Sequence, residues 1–239
     1  MSTDLNTTAE AYAPTIIAGW EALYREKRRR LYELLQPHFR PGRALELGTG
    51  DGESTSHIHG RFDELHVVDG SAPQLKAVQA RFPEVKTHVS LFEEFQPSVR
   101  YSTIFMTHIL EHLDHPEVLL DRSASWLDAG GRVMISVPNA LSFHRLVGVK
   151  MGLLETPYSL NDQDVLLGHR RVYDKTSMLE LIAGSPFEVV KFTGLMLKPL
   201  SNRQIERDWS PELIEAYFQL GFDFPEHCSE IIFILEKRA

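Results

Sequence analysis

Apolar positions recur at helical spacing early in the chain: Ile16, Trp20, Leu23, Tyr24, Leu31, Leu34 and Leu35, before Pro37 ends the run. That spacing predicts a helix. A short apolar segment, Arg43–Leu47, then stops at a cluster of glycines, as a buried strand entering a tight loop would. Strand and helix alternate from there. Strands are predicted over 65–69, 84–89, 101–107 and 132–138. Helices are predicted to open at Ser71-Ala-Pro-Gln74, where serine and glutamine fit a capping box, and at Asp114-His-Pro-Glu117. The second should end at Gly130-Gly131. Residues 139–168 show no clear period. Beyond them, Asp174 should cap a helix reaching Gly184; 187–197 reads as a strand, 211–220 as a helix and 229–236 as a closing strand. The rhythm predicts an α/β fold with a mostly parallel sheet and helices on both faces.

Composition narrows the class. A length of 239 residues suits one domain, taken here as 1–239. There are 25 Lys and Arg against 33 Asp and Glu, a net charge of −8, which argues against sequence-independent nucleic-acid binding. No run approaches the ~20 apolar residues of a membrane helix. The polar, acidic opening lacks the basic-then-apolar order of a secretion signal. The single cysteine, Cys228, forms no internal disulfide, so a cytoplasmic protein is expected. The basic run Arg25–Arg30 reads as the solvated face of a helix.

The stretch Ala44-Leu-Glu-Leu-Gly-Thr-Gly-Asp-Gly52 carries the chemistry. Gly48, Gly50 and Gly52 let the backbone turn sharply and approach a ligand closely. A nucleotide site asks for a second acid about 20 residues on, at the end of the next strand. Asp69 fills that place, followed by Gly70 and Ser71. No Gly-Lys-Ser/Thr follows the turn, so a Walker loop is excluded. Glu46 beside the loop would repel a pyrophosphate and suit a cationic ligand, an ammonium or a sulfonium.

These residues resemble the first motif of the class I S-adenosylmethionine-dependent methyltransferases, a Rossmann-like fold with a seven-stranded, mostly parallel sheet. The resemblance implies that Glu46, Gly48, Thr49 and Gly50 hold the methionine part of S-adenosylmethionine. It implies that Asp69 accepts both ribose hydroxyls and that Phe92 and Glu93 lie near the adenine. The segment Tyr101–Pro116, with Leu-Glu-His and then Asp-x-Pro, resembles the ubiquinone-type methyltransferases and places Thr107 and His108 beside the cofactor. Residues 1–40 are then a helical cap and residues 140–175 an inserted lid. Tyr24 on the cap could face the methionine end, since aromatic faces stabilise cations; packing in the core is its competing role. Tyr12 could take the same place, and Trp20 reads as core.

The candidate acceptor pocket comprises Asn139 and His144 after the fifth strand, and His169, Arg170 and Tyr173 from the insertion, with His108. Histidine can accept a proton near neutral pH. The competing readings are a helix-face role for His144, salt bridges for Arg170 and Arg171, and an exposed turn at 161–164. His108, Glu111 and His112 form a His-x-x-Glu-His cluster. Similar positions hold a divalent metal in some RNA 2′-O-methyltransferases and ubiquinone-type enzymes, but His108 stands in place of an acidic ligand, so no metal is expected. The leading function is methyl transfer to a small molecule by direct displacement, in a monomer or homodimer with no nucleic-acid or membrane partner. Two alternatives share the fold: a lyase that cyclises S-adenosylmethionine to azetidine-2-carboxylate and methylthioadenosine, and a non-catalytic cofactor-binding protein.

Overall fold

A computed structural model describes residues 21–238. Ile16, Trp20 and Tyr12, and the first half of the expected cap, lie outside the described residues. Helix α1 (Glu21–Leu35) leads into β1 (Arg43–Leu47), α2 (Glu53–Ile58), β2 (Glu64–Asp69), α3 (Ala72–Arg81), β3 (Lys86–Val89) and β4 (Tyr101–Thr107). Then come α4 (Pro116–Trp126), β5 (Leu127–Pro138), α5 (Phe143–Lys150), α6 (Asp162–Leu166) and α7 (Lys175–Ala183). The chain closes with β6 (Phe187–Leu195), α8 (Asn202–Asp208), α9 (Pro211–Asp223) and β7 (Glu230–Lys237). Seven strands form one sheet in the order β3-β2-β1-β4-β5-β7-β6. All neighbours are parallel except β7, which runs antiparallel to both β5 and β6.

Both faces of the sheet are covered, and strand alternation sorts the side chains between them. Ile231, Phe233 and Leu235 of β7 join Ile104, Met106, Val133 and Ile135 on the face packed by α4 and α7. Ile232 and Ile234 join Phe105 and Met134 on the face packed by α1, α3 and α9. No helix among the described residues is long and apolar enough to cross a membrane.

Several local expectations are corrected. The Ser71 side chain makes no capping bond to α3; its backbone N–H goes to the Asp69 carboxylate instead. Asp114 does not cap α4, whose N-cap is His115; Asp114 pairs with Arg170 at 2.7 Å. Helix α4 ends at Trp126, ahead of the glycine pair, and the chain passes straight into β5. There the glycines sit at an irregularity: Tyr101 pairs with Leu127 but Thr103 with Arg132. A side chain at Gly131 would strike Leu127 and the Ser102 carbonyl, so a glycine is required. The aperiodic insertion contains α5 and α6. The expected exposed turn at 161–164 is a capping box between Asn161 and Asp164, with Asp164 buried against Arg145 at 3.0 Å.

The chain turns from building outward through β2 and β3 to building the other way through β4 and β5. The carboxyl ends of β1 and β4 therefore flank a crevice where open α/β sheets bind ligands.

Candidate functional site

A cavity of about 480 Å³ opens at that crevice. Its wall comes from the loops after β1, β2, β3 and β4, from α1 and from the end of the insertion. The first loop is shaped by three left-handed glycines, with φ of 74° at Gly48, 52° at Gly50 and 77° at Gly52. Gly48 donates its N–H to Val68 at 2.8 Å, and a Cβ there would lie 2.3 Å from Ile109. Gly50 has open space where a Cβ would stand. This is a backbone cradle that leaves room for a ligand.

Asp69 locks the cradle. One carboxylate oxygen accepts from Thr49 N–H at 2.9 Å and the other from Ser71 N–H at 2.7 Å. Burial raises its pKa and these two bonds oppose the rise. Each oxygen keeps a further lone pair for a ligand hydroxyl. Gly48, Thr49, Gly50, Asp69, Gly70, Phe92, Glu93, Thr107, His108 and Tyr24 all lie on the wall, with Arg170 from the insertion. Ser71 lies behind it, acting through its backbone.

Glu46 departs from its expected place as an anion facing the ligand. It is fully buried on the α1 side of the sheet and accepts from Thr55 Oγ1 at 2.7 Å, leaving its second oxygen without a partner. Burial pushes its pKa up to about 8, so in this structure it holds its proton at neutral pH.

The acceptor-pocket residues do not converge. Asn139 is spent on the backbone, donating to Glu226 O and Cys228 O at 2.8 Å each and accepting from Leu141 N–H. Tyr173 donates to Leu110 O at 3.3 Å, and burial pushes its pKa up to about 12. His169 sits with Nδ1 3.2 Å from Asp164, and His144 lies away from the wall beside Lys198. Of that set, His108 and Arg170 reach the cavity.

His108 has a left-handed backbone at φ 57°, rare for a residue with a side chain. Its Nε2 is 2.9 Å from Glu230 and its Nδ1 3.3 Å from Glu111, both fully buried carboxylates. Burial and Arg28 oppose a charge on the ring, but the two carboxylates outweigh them and raise its pKa. Both ring nitrogens are thus engaged by carboxylates, and the ring is no free base. Glu111, His112 and His169 offer ligand atoms within 4.8 Å of one another, the residue types of a divalent-ion site. His169 stands there in place of His108, which the sequence pattern grouped with Glu111 and His112.

Arg28, Lys27 and Glu230 escaped the sequence reading. The basic run is solvated only in part: Arg28 and Lys27 turn inward to Glu230, at 3.7 and 2.5 Å, and Arg28 reaches the cavity wall over the Tyr24 ring. Glu230 opens its strand directly before five apolar residues, Ile231–Leu235, a signal that could have marked it.

Between pH 4.5 and about 8 the folded chain keeps the Glu46 proton that the unfolded chain releases. Stability contributed by the protonated group is present below the unfolded pKa and is lost as pH rises through the folded one, by up to about 1.4 kcal/mol per pH unit. Glu46→Gln removes this slope. Urea unfolding of both proteins from about pH 5 to pH 8 should show the wild type losing stability relative to the variant; parallel profiles would contradict the assignment.

Comparison with known proteins agrees with this geometry. The model of a family described as a methyltransferase domain matches residues 20–191. A trans-aconitate 2-methyltransferase of Methylobacterium radiotolerans is 28% identical over 184 residues, covering 72% of this chain and 71% of that protein. An S-adenosylmethionine-dependent methyltransferase of Thermotoga maritima shares the fold with a TM-score of 0.68, at 14% identity over 98% of this chain and 99% of that one. The N-methyltransferase NodS of Bradyrhizobium japonicum, solved with S-adenosyl-L-homocysteine, gives a TM-score of 0.62 at 11% identity over 98% of each chain. The chain belongs to the class I S-adenosylmethionine-dependent methyltransferases.

Proposed function

We propose that this protein transfers the methyl group of S-adenosylmethionine to a small carboxylic acid. The observation that carries the cofactor is Asp69: its two oxygens, each already holding one loop N–H, face the cavity beside an open glycine cradle. That arrangement fits two neighbouring ribose hydroxyls. Phe92 and Glu93 would flank the adenine. Tyr24 and Arg28 would meet the amino-acid end, the guanidinium taking its carboxylate. The acid acceptor is supported by the relatives named for trans-aconitate and by the Arg170 guanidinium on the wall.

Bound S-adenosylmethionine supplies an electrophilic methyl on a positive sulfur. The protein's share is alignment of the acceptor oxygen and exclusion of water. A carboxylate acceptor is already ionised near neutral pH and needs no base, which agrees with a His108 ring clamped by two carboxylates. The methyl–oxygen bond forms as the methyl–sulfur bond breaks, leaving a methyl ester and the neutral thioether. The cyclising alternative gains no support from the relatives, all of those named here being methyltransferases.

Asp69→Ala should weaken binding of S-adenosylhomocysteine by about a hundredfold, since two hydrogen bonds to a charged acceptor are lost. Titration calorimetry checks this, and unchanged affinity would overturn the placement. Incubation with S-adenosylmethionine alone should leave it intact, and addition of trans-aconitate or a related acid should give S-adenosylhomocysteine and a methyl ester by mass spectrometry. Methylthioadenosine formed without an acceptor would overturn methyl transfer in favour of cyclisation.

A further inference from the structure

Glu230 is the first residue of β7, the strand that runs against both its neighbours. A parallel strand brings its last residue to the ligand end of the sheet, and an antiparallel one brings its first. Glu230 therefore pairs with Pro138, the last residue of β5, beside the chain leaving β4. Its carboxylate is buried, and both oxygens are engaged. Oε1 meets Lys27 Nζ at 2.5 Å. Oε2 accepts from Ser136 Oγ at 3.2 Å and lies 2.9 Å from His108 Nε2 and 3.7 Å from an Arg28 guanidinium nitrogen. Burial opposes its charge, but Lys27, His108 and Arg28 outweigh burial and keep it an anion.

Two of these partners, Arg28 and His108, stand on the cavity wall, while Glu230 and Lys27 lie behind it. One buried oxygen thus spans the gap between α1 and the end of β4. Its hold on Arg28 is an ion pair too long for a hydrogen bond, so it fixes the guanidinium without consuming its donors. The guanidinium in turn sits 5.2 Å from the centre of the Tyr24 ring, one turn back on α1. On the other side, the left-handed His108 donates its backbone N–H to Ser136 O at 2.8 Å. Ser136 thereby holds both the carboxylate and the strained residue beside it.

We infer that Glu230 is a positioning residue for the amino-acid arm of the cofactor: through Oε2 it sets where Arg28 and the Tyr24 ring stand on the wall. The inference rests on the methyl-transfer reading, in which Arg28 takes the carboxylate of that arm. Glu230 itself touches no ligand. Without its charge, Lys27 and Arg28, adjacent on α1, would share a buried space with no acid between them, and the guanidinium would shift from its place. The ribose and adenine contacts assigned to Asp69, Phe92 and Glu93 come from other loops and would remain.

The test compares two ligands by titration calorimetry on the full-length protein. S-adenosylhomocysteine carries the amino-acid arm; methylthioadenosine has the same adenine and ribose without it. Glu230→Gln keeps the shape and removes the charge. Lys27→Met combined with Glu230→Gln removes a whole ion pair, which guards against a variant that fails to fold. In each, S-adenosylhomocysteine affinity should fall about tenfold while methylthioadenosine affinity stays within about twofold. Arg28→Met should cost as much as Arg28→Met with Glu230→Gln, because one residue acts through the other. Unchanged S-adenosylhomocysteine affinity would overturn the inference. So would an equal loss for both ligands, or failure of both Glu230 variants to fold, since either makes Glu230 merely structural. Wild-type protein that binds both ligands equally would sink this inference alone; wild-type protein that binds neither would sink the cofactor assignment beneath it.

Discussion

The Asp69 carboxylate is the interaction on which the rest of the site depends. It ends β2 and ties the glycine loop after β1 to the turn before α3 through Thr49 and Ser71 N–H. Without it the loop would have three left-handed glycines and little to fix them. With it the loop backbone and the acid become one rigid wall, at the point where the strand order reverses. The parallel register places β2's last residue next to the loop that needs it: Leu47 pairs with Val68, and Gly48 then donates to Val68 O.

Four buried acids near this crevice behave differently, and their neighbours explain why. Glu46 has one hydroxyl partner and no cation, so burial wins and it keeps its proton. Glu230 has Lys27, His108 and Arg28 around it and is held well below the usual carboxylate range against the cost of burial. Glu111 is lowered by His108 and the other histidines in spite of full burial. Asp164, pressed by burial but bonded by His169 and Arg145, falls to about 2. The basic face of α1 is thus docked onto the last strand by charge as well as by Leu23, Leu31 and Leu35. Docking a helix through an ion cluster costs desolvation, which fits a segment serving specificity more than stability.

The parallel core was legible because its strands are largely apolar runs buried on both faces, as Tyr101–Thr107 is, and because two of them stop at a glycine or an acid, β1 before Gly48 and β2 at Asp69. Asp69 was legible because its spacing from the loop is a geometric requirement of adjacent parallel strands. The insertion was not, since α5 and α6 are short and are set by the distant pairing of Arg145 with Asp164. Arg28 and Lys27 looked solvated because their partner, Glu230, lies at the other end of the chain. Local sequence could suggest that Asn139 and Tyr173 were polar and near the site, but only the fold shows their polar atoms consumed by backbone partners.

The measurement that bears most directly on this account is a crystal structure with S-adenosylhomocysteine bound. It should show both ribose hydroxyls within about 3 Å of the Asp69 carboxylate, with the amino-acid end between Tyr24 and Arg28. A ribose placed away from Asp69, or a ligand outside the crevice between β1 and β4, would contradict it.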